Sequence, residues 1–278
     1  MVRSLPRPIS RLCSLVGLHR SRLYYAPRER QQVTNENEKD LLVELAGLYP
    51  SFGYRRITVM ARKRLGHPIN RKKVLRILKL NKLALVPPRR RTDKPEGRKI
   101  DQTAPLPNQK WQADMTKIWC GIDGWGYLVN IIDCCTRELV GHHFDLRCST
   151  DETLAALHIA VSSRFNGERP LGLTLRTDNG PQLTSRRFEK ALRCLSIAHE
   201  TTHFNCPDEN AIVESFHASL KRDCVYLHDF ESFEHARLVL DKYFENYNNI
   251  FPHGSLRMMA PAEYAKTLTN NQAKSVLI

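Results

Sequence analysis

Three acidic residues lie in positions where an ordinary carboxylate is costly. Asp114 interrupts an apolar, strand-like stretch, WQADMT. Asp178 ends a second such stretch in LRTDNGPQ, just before a Gly-Pro turn, and Glu214 falls in a helical stretch, ENAIVESFHASLKRD. A charge within a buried strand is unfavourable unless it is paired or binds a metal. The C-terminal ends of strands are also where open α/β sheets place their chemistry. Carboxylate oxygens are hard donors, and Mg²⁺, which keeps several of its waters, needs few of them. Taken singly, each acid reads better as a capped turn, an edge-strand charge or a solvated helix face than as a functional group. Taken in order, with 35 residues between Asp178 and Glu214, they form a candidate set. No Ser-His-Asp arrangement and no G-x-S-x-G stretch competes with them.

The helix that carries Glu214 adds to this. Lys221 follows by two turns and lies within about 20° of Glu214 around the axis, and Asn210, one turn earlier, lies about 40° away. One stripe would present Asn210, Glu214 and Lys221 together, with Arg222 beside them. His217 lies near the same face and reads as a neighbour rather than a ligand. His142 and His143 are adjacent on a strand and point to opposite faces, which makes them structural. Asp133 reads as a turn cap and Trp111 as core.

The elements that must hold these residues are strands first, then strands alternating with helices. Trp111–Cys120, Gly126–Cys135 and Leu139–Phe144 read as strands, with turn signals at 121–124 and 136–138. Ser149 to Glu152 has the form of a capping box opening a helix to about Phe165. Leu171–Asp178 and Ala198–His203 read as strands, and Thr184–Leu195, Asp208–Leu227 and Ser232–Ile250 as helices. The fold class is therefore α/β, a mixed sheet with flanking helices, preceded by an all-α helix-turn-helix region.

That preceding region is strongly basic. The chain of 278 residues carries 43 Lys and Arg against 29 Asp and Glu, a net charge of +14. Residues 1–100 hold 25 of these cations and 7 acids, whereas the remainder is slightly acidic. Such asymmetry points to a polyanion-binding arm, or else to a solubilising surface. Ile9–Tyr25 has a helix-turn-helix pattern, with Leu12, Leu15 and Val16 on one face and Gly17 at the turn. A second runs over Tyr54–Leu83: a basic helix from Arg55, a break at Gly66-His67-Pro68, then a helix capped by Asn70. There Val74, Ile77 and Leu78 face inward. Arg55, Arg56, Arg71, Lys72, Lys73 and Arg76 are the candidate DNA contacts, with an ordinary helical hairpin as the alternative. Pro87–Asn108, with five prolines and many charges, reads as a linker. The predicted division is 1–86, 87–108, 109–265 and a tail at 266–278. The eight cysteines contain no C-x-x-C, which argues against a zinc knuckle and for a reducing compartment. No apolar run approaches a membrane span, and no apolar signal-peptide core is present.

The three acidic stretches, WQADMT, TDNGPQLTS and DENAIVESFHASLKRD, together resemble the OrfB-type transposases of the bacterial insertion-sequence-3 family. YLVNIIDCCTRELVGHHF, YNNIFPHGSLRMMAPAEY, YPSFGYRRI and NRKKVLRIL extend the resemblance over roughly residues 9–265. The chain departs from the family's pattern at Phe251, where Arg usually precedes Pro-His, and at Ala260, where Thr is frequent. The resemblance implies an RNase H-like core similar to retroviral integrases, with Asp114, Asp178 and Glu214 as catalytic and metal ligands. Two Mg²⁺ ions about 4 Å apart would be held there, with Mn²⁺ able to substitute. Asp114 would bridge both, and Asp178 and Glu214 would each hold one. Water would first free a 3′-hydroxyl at the element's end, and that hydroxyl would then attack a second phosphodiester. Lys221 would contact terminal DNA, with Asn210 and Arg222 near it. A homo-oligomer on DNA, fusion to an upstream-frame product by frameshifting, and a place in the bacterial cytosol on the nucleoid are also implied. A structure-specific nuclease of the same fold and a non-catalytic DNA-binding regulator remain as alternatives.

Overall fold

The computed structural model describes residues 9–22, 24–25, 35–85, 102–203 and 207–276, with backbone only at 207–208 and 270–276. The chain divides into Met1–Lys39 and Asp40–Ile278. In the first unit, α1 (Ile9–Leu15) is followed by Gly17, whose φ of 63° lets the chain turn, and by a short 3-10 segment, Arg20–Arg22. The expected apolar face differs from the observed one: Cys13 is buried, whereas Leu15 and Val16 are exposed. A seven-residue helix is too short to bury a broad face.

The second unit contains the helical hairpin and the sheet together. The helix α2 (Glu36–Leu48), which begins in the first unit, is followed by α3 (Tyr54–Leu65) and α4 (Arg71–Leu80). Gly66 closes α3 in the left-handed conformation at φ 69°, and the Asn70 side chain accepts from the Lys72 amide to start α4. Val74, Ile77 and Leu78 are fully buried, as their spacing requires.

The sheet has five strands: β1 (Lys110–Trp119), β2 (Trp125–Asp133), β3 (Leu139–Asp145), β4 (Thr174–Thr177) and β5 (Ala198–Thr201). Their order is β3-β2-β1-β4-β5, antiparallel over the first three and parallel from β1 to β4 to β5. A hairpin meander needs only short turns, whereas each parallel pairing needs a crossover helix. Those are α5 (Thr150–Phe165) and α6 (Arg186–Cys194). Ser149 and Glu152 form the expected capping box on α5. Gly141 is required where β3 meets α5, because a Cβ there would lie 2.5 Å from the Ala156 carbonyl oxygen.

The pleat sends alternate residues to two apolar clusters. Trp111, Ala113, Val129 and Ile131 pack against α5 and α6. Ile118, Leu128 and Ile132 face α7 (Ala211–Asp223) and α8 (Phe233–Asn249). The same second cluster includes Leu42, Leu45, Phe52, Ile57, Ile77 and Leu78 of α2–α4. Most of the predicted linker lies outside the described residues. Phe251, one of the departures from the family's pattern, is buried against Phe52, Tyr49 and Tyr243 at ring separations of 5.0, 5.5 and 5.6 Å. The last helix, α9 (Pro261–Val276), runs through the predicted tail. No helix among the described residues is long and apolar enough to cross a membrane.

Candidate functional site

The site is built where β1, β4 and α7 meet. On β1, Gln112 and Asp114 point to the α7 side of the sheet, while Trp111 and Ala113 point to the other. β4 runs parallel beside it with Ala113 opposite Thr177. Asp114 and Asp178 are thus the next residues along on two neighbouring strands. This is why a strand-interior acid and a strand-end acid 64 positions apart lie side by side in the sheet.

Each carboxylate has partners that orient it. Asp178 Oδ1 accepts from the Gly180 amide at 3.0 Å, and Asn179 Nδ2 donates to the Thr202 carbonyl at 2.7 Å, which holds the turn. Burial pushes the Asp178 carboxyl up. The Gly180 amide counters part of that rise, and the like charge of Asp114 adds to it. Asp114 is half-buried; its Oδ1 accepts from the Met115 amide at 2.7 Å, and its Oδ2 lies 3.3 Å from His217 Nδ1. The far nitrogen of His217 is 2.9 Å from Asn130 Nδ2, and Asn130 pairs with Asp114 across the β1–β2 ladder. His217 is therefore more than a neighbour: it fastens one oxygen of Asp114 to the sheet. Its spacing from Glu214 gave no signal of this role, because the partner lies on a strand far away in the chain.

Glu214 stands exposed in the first turn of α7. That helix begins without a side-chain cap from Asn210. Gln112, fully buried, takes over: its Oε1 accepts from the Ile212 and Val213 amides at 3.1 and 3.2 Å. Its Nε2 donates to the Glu209 carbonyl at 3.3 Å. One strand residue two positions before Asp114 thus caps the helix of Glu214, satisfying amides that the helix itself leaves open. A lone Gln in a strand offers no sequence signal for this.

The remaining predicted contacts divide into two groups. Asn210 is buried, and its amide donates to the Ala113 carbonyl at 3.2 Å, so it ties α7 to β1 and does not join an exposed stripe. Arg222 and Arg56 both bond Asp223, at 2.6 and 3.1 Å, and Arg56 also lies 4.8 Å over the Phe52 ring. Lys221 makes no side-chain hydrogen bond or ion pair among the described residues. Arg55, Arg71, Lys72 and Arg76 are exposed, and Lys73 is partly so. Asp133 is the predicted turn cap, accepting from the Cys135 and Thr136 amides at 2.8 and 2.7 Å. His142 and His143 face opposite ways, the first towards Asp241 and Phe244 and the second towards Asp145.

Among the described residues no three His, Cys, Asp or Glu side chains are gathered closely enough to hold a metal ion. Asp114 and Asp178 nonetheless suit one: both are hard oxygen donors, and the charge of Asp114 adds to the cost of ionising Asp178, a cost that a divalent cation relieves.

The integrase core domain family matches residues 104–206, and a second model of the same description matches residues 195–261. An uncharacterized protein of insertion element IS407 from Burkholderia multivorans is 30% identical, over 92% of this chain and 89% of its own length. The transposase of insertion element IS2 from Escherichia coli is 29% identical, over 83% of this chain and 79% of its own. In fold, the chain is similar to a chain of the simian T-cell lymphotropic virus intasome solved with a PP2A regulatory subunit. The TM-score is 0.51 at 20% identity, covering 81% of this chain and 74% of that one.

Proposed function

The chain belongs to the family of insertion-element transposases with an integrase core, and from that premise we propose that Asp114, Asp178 and Glu214 are its catalytic triad of carboxylates. The observation that carries this is the parallel pairing of the middle of β1 with the end of β4, where Asp114 and Asp178 lie close enough for the charge of Asp114 to raise the proton affinity of Asp178. The clamp of Gln112 on the first turn of α7 supports adding Glu214 to that pair.

Asp114, Asp178 and Glu214 would hold Mg²⁺, as one or two ions, with Mn²⁺ as a substitute. The cation supplies activation of the attacking oxygen and neutralisation of charge on the phosphate. The chain's own residues do the positioning. His217 and Asn130 hold Asp114 against rotation, Gly180 and Asn179 hold Asp178, and Gln112 and Asn210 hold α7 on β1. Lys221, two turns beyond Glu214 and without a partner among the described residues, offers its ammonium to a DNA phosphate. Arg55, Arg71, Lys72, Lys73 and Arg76 of α3 and α4 form a basic face suited to the backbone of element-end DNA. We assign residues 1–86 to DNA binding and 109–265 to the core. A homo-oligomer on DNA, a fused upstream-frame segment and action at the bacterial nucleoid follow from the family reading.

The test is strand transfer on labelled duplex DNA ending in the element's inverted repeat, with Mg²⁺, using the wild type and Asp178→Asn. Joined products should vanish in the variant, falling at least ~100-fold, while duplex affinity is retained. Joining that survives the substitution removes Asp178 from the site. Cleavage without joining by the wild type identifies a nuclease instead.

A further inference from the structure

α7 borders a concavity of about 250 Å³, lined by Arg137, Ser215 (the residue after Glu214), Phe216, Tyr247, His253 and Ser255. Arg137 lies in the turn between β2 and β3 with φ at 62°, the left-handed region. Both of its backbone groups are pinned. Its amide donates to the Asp133 carbonyl at 2.9 Å, and its carbonyl accepts from the Tyr247 hydroxyl at 3.0 Å. Glycine adopts that conformation without a Cβ penalty, so an arginine keeps a long cationic side chain there at a small backbone cost.

The guanidinium of Arg137 makes no hydrogen bond or ion pair among the described residues. The adjacent acid does not neutralise it, because Glu138 is paired with Arg164 at 3.0 Å. The hydroxyl of Ser215, the residue after Glu214, is likewise unpartnered among the described residues. Ser255 shares a hydrogen bond of 2.9 Å with His253 Nδ1. The amides of Ile212 and Val213 are already taken by Gln112 and contribute nothing to a ligand. Burial, with the positive charges of Arg56 and Arg137 nearby, holds His253 down to about 4, so it is neutral. The concavity therefore offers one cation without a partner among the described residues and, in Ser215, a hydroxyl donor one residue away from Glu214. That donor set matches a phosphodiester, an anion that accepts hydrogen bonds from guanidinium and hydroxyl alike.

We infer that Arg137, with Ser215, binds a backbone phosphate of the DNA strand held beside Glu214. The inference rests on the reading above, in which Glu214 faces the reacting strand. It gives the second hairpin of the sheet a task in positioning substrate, separate from the basic helices α3 and α4.

The experiment is fluorescence anisotropy of a dye-labelled inverted-repeat duplex with the full chain, in EDTA, over a series of KCl concentrations. Wild type, Arg137→Gly and Arg137→Lys are compared, with thermal melting of each. Arg137→Gly should weaken binding about threefold to tenfold at low salt. It should also lower the slope of log affinity against log salt by about one. Its melting temperature should be equal or higher, because glycine relaxes the turn. Arg137→Lys should restore most of the salt slope. Unchanged affinity and slope in Arg137→Gly overturn the inference. So does a loss of affinity that comes with a lower melting temperature, which makes Arg137 structural. Calorimetry with inorganic phosphate is the second arm: saturable binding that Arg137→Gly abolishes, with duplex affinity untouched, means a free-anion site and also overturns it. Failure of Asp178→Asn to stop joining, alongside a positive Arg137 result, faults the catalytic reading and not this one.

Discussion

Asp114 is a charged residue in a strand whose neighbours are buried, and what makes it tolerable is local. Its oxygens are met by the Met115 amide and by His217, and it stays half-buried rather than fully enclosed. Its type and place were legible because a lone acid in WQADMT breaks an apolar run. Its partner His217 was not, since three helical residues of separation from Glu214 say nothing about which strand the ring will meet. His253 gives a pH prediction at the same scale. Its folded value of about 4 lies below the usual 6.5, so the unfolded chain binds the proton more readily. Stability is then full above pH ~6.5 and is lost as pH falls towards ~4, by about 2 kcal/mol at pH 5. Urea denaturation at pH 7.5 and pH 5 checks this. The loss should shrink by about that amount in His253→Gln, and an equal loss in both proteins would place the pH sensitivity elsewhere.

At the scale of elements, α7 matters most, and it is held at both ends. Gln112 and Asn210 tie its start to β1, and Asp223 at its last turn is bound by Arg56 of α3 and by Arg222. The Asp223 side chain is only 2% exposed, so it depends on these partners. Arg56→Ala leaves that carboxylate with one cation and strips packing from Phe52. We expect a loss of about 2–4 kcal/mol in urea denaturation. A protein of unchanged stability with weaker DNA binding would return Arg56 to the set of DNA contacts. Helix and strand identities were readable from period and caps: Asn70, Ser149 and Ser232 all accept from the amides expected of N-caps. The roles of Arg56 and Asn210 were not, because a basic or amide side chain on a helix reads as available until the surface opposite it is known.

At the scale of the whole molecule, the apolar cluster on the α7 side of the sheet is shared between α2–α4 and α7–α8. Phe52 and Tyr49 cover Phe251, and Lys63 of α3 pairs with Glu263 of α9. A fragment of residues 102–278 should expose Phe216, Tyr243, Phe244, Tyr247 and Phe251. We expect it to bind a hydrophobic dye and melt without cooperativity, whereas residues 40–278 melt as one transition. Cooperative melting of 102–278 with native-like dye exclusion would show that the helices are dispensable to the core. The sequence alone determined the three carboxylates and their order, the basic first third, the mixed sheet and the family resemblance. These follow from residue type and local period, which are properties of a chain before it folds. Only the tertiary structure decided that Gln112 caps α7, that His217 fastens Asp114, that Arg56 is spent on Asp223, and that the basic helices share a core with the α7 side of the sheet. Each of these joins residues far apart in the chain, and burial forces such pairings: an amide, a ring or a carboxylate removed from water takes whichever partner the packed surfaces bring to it.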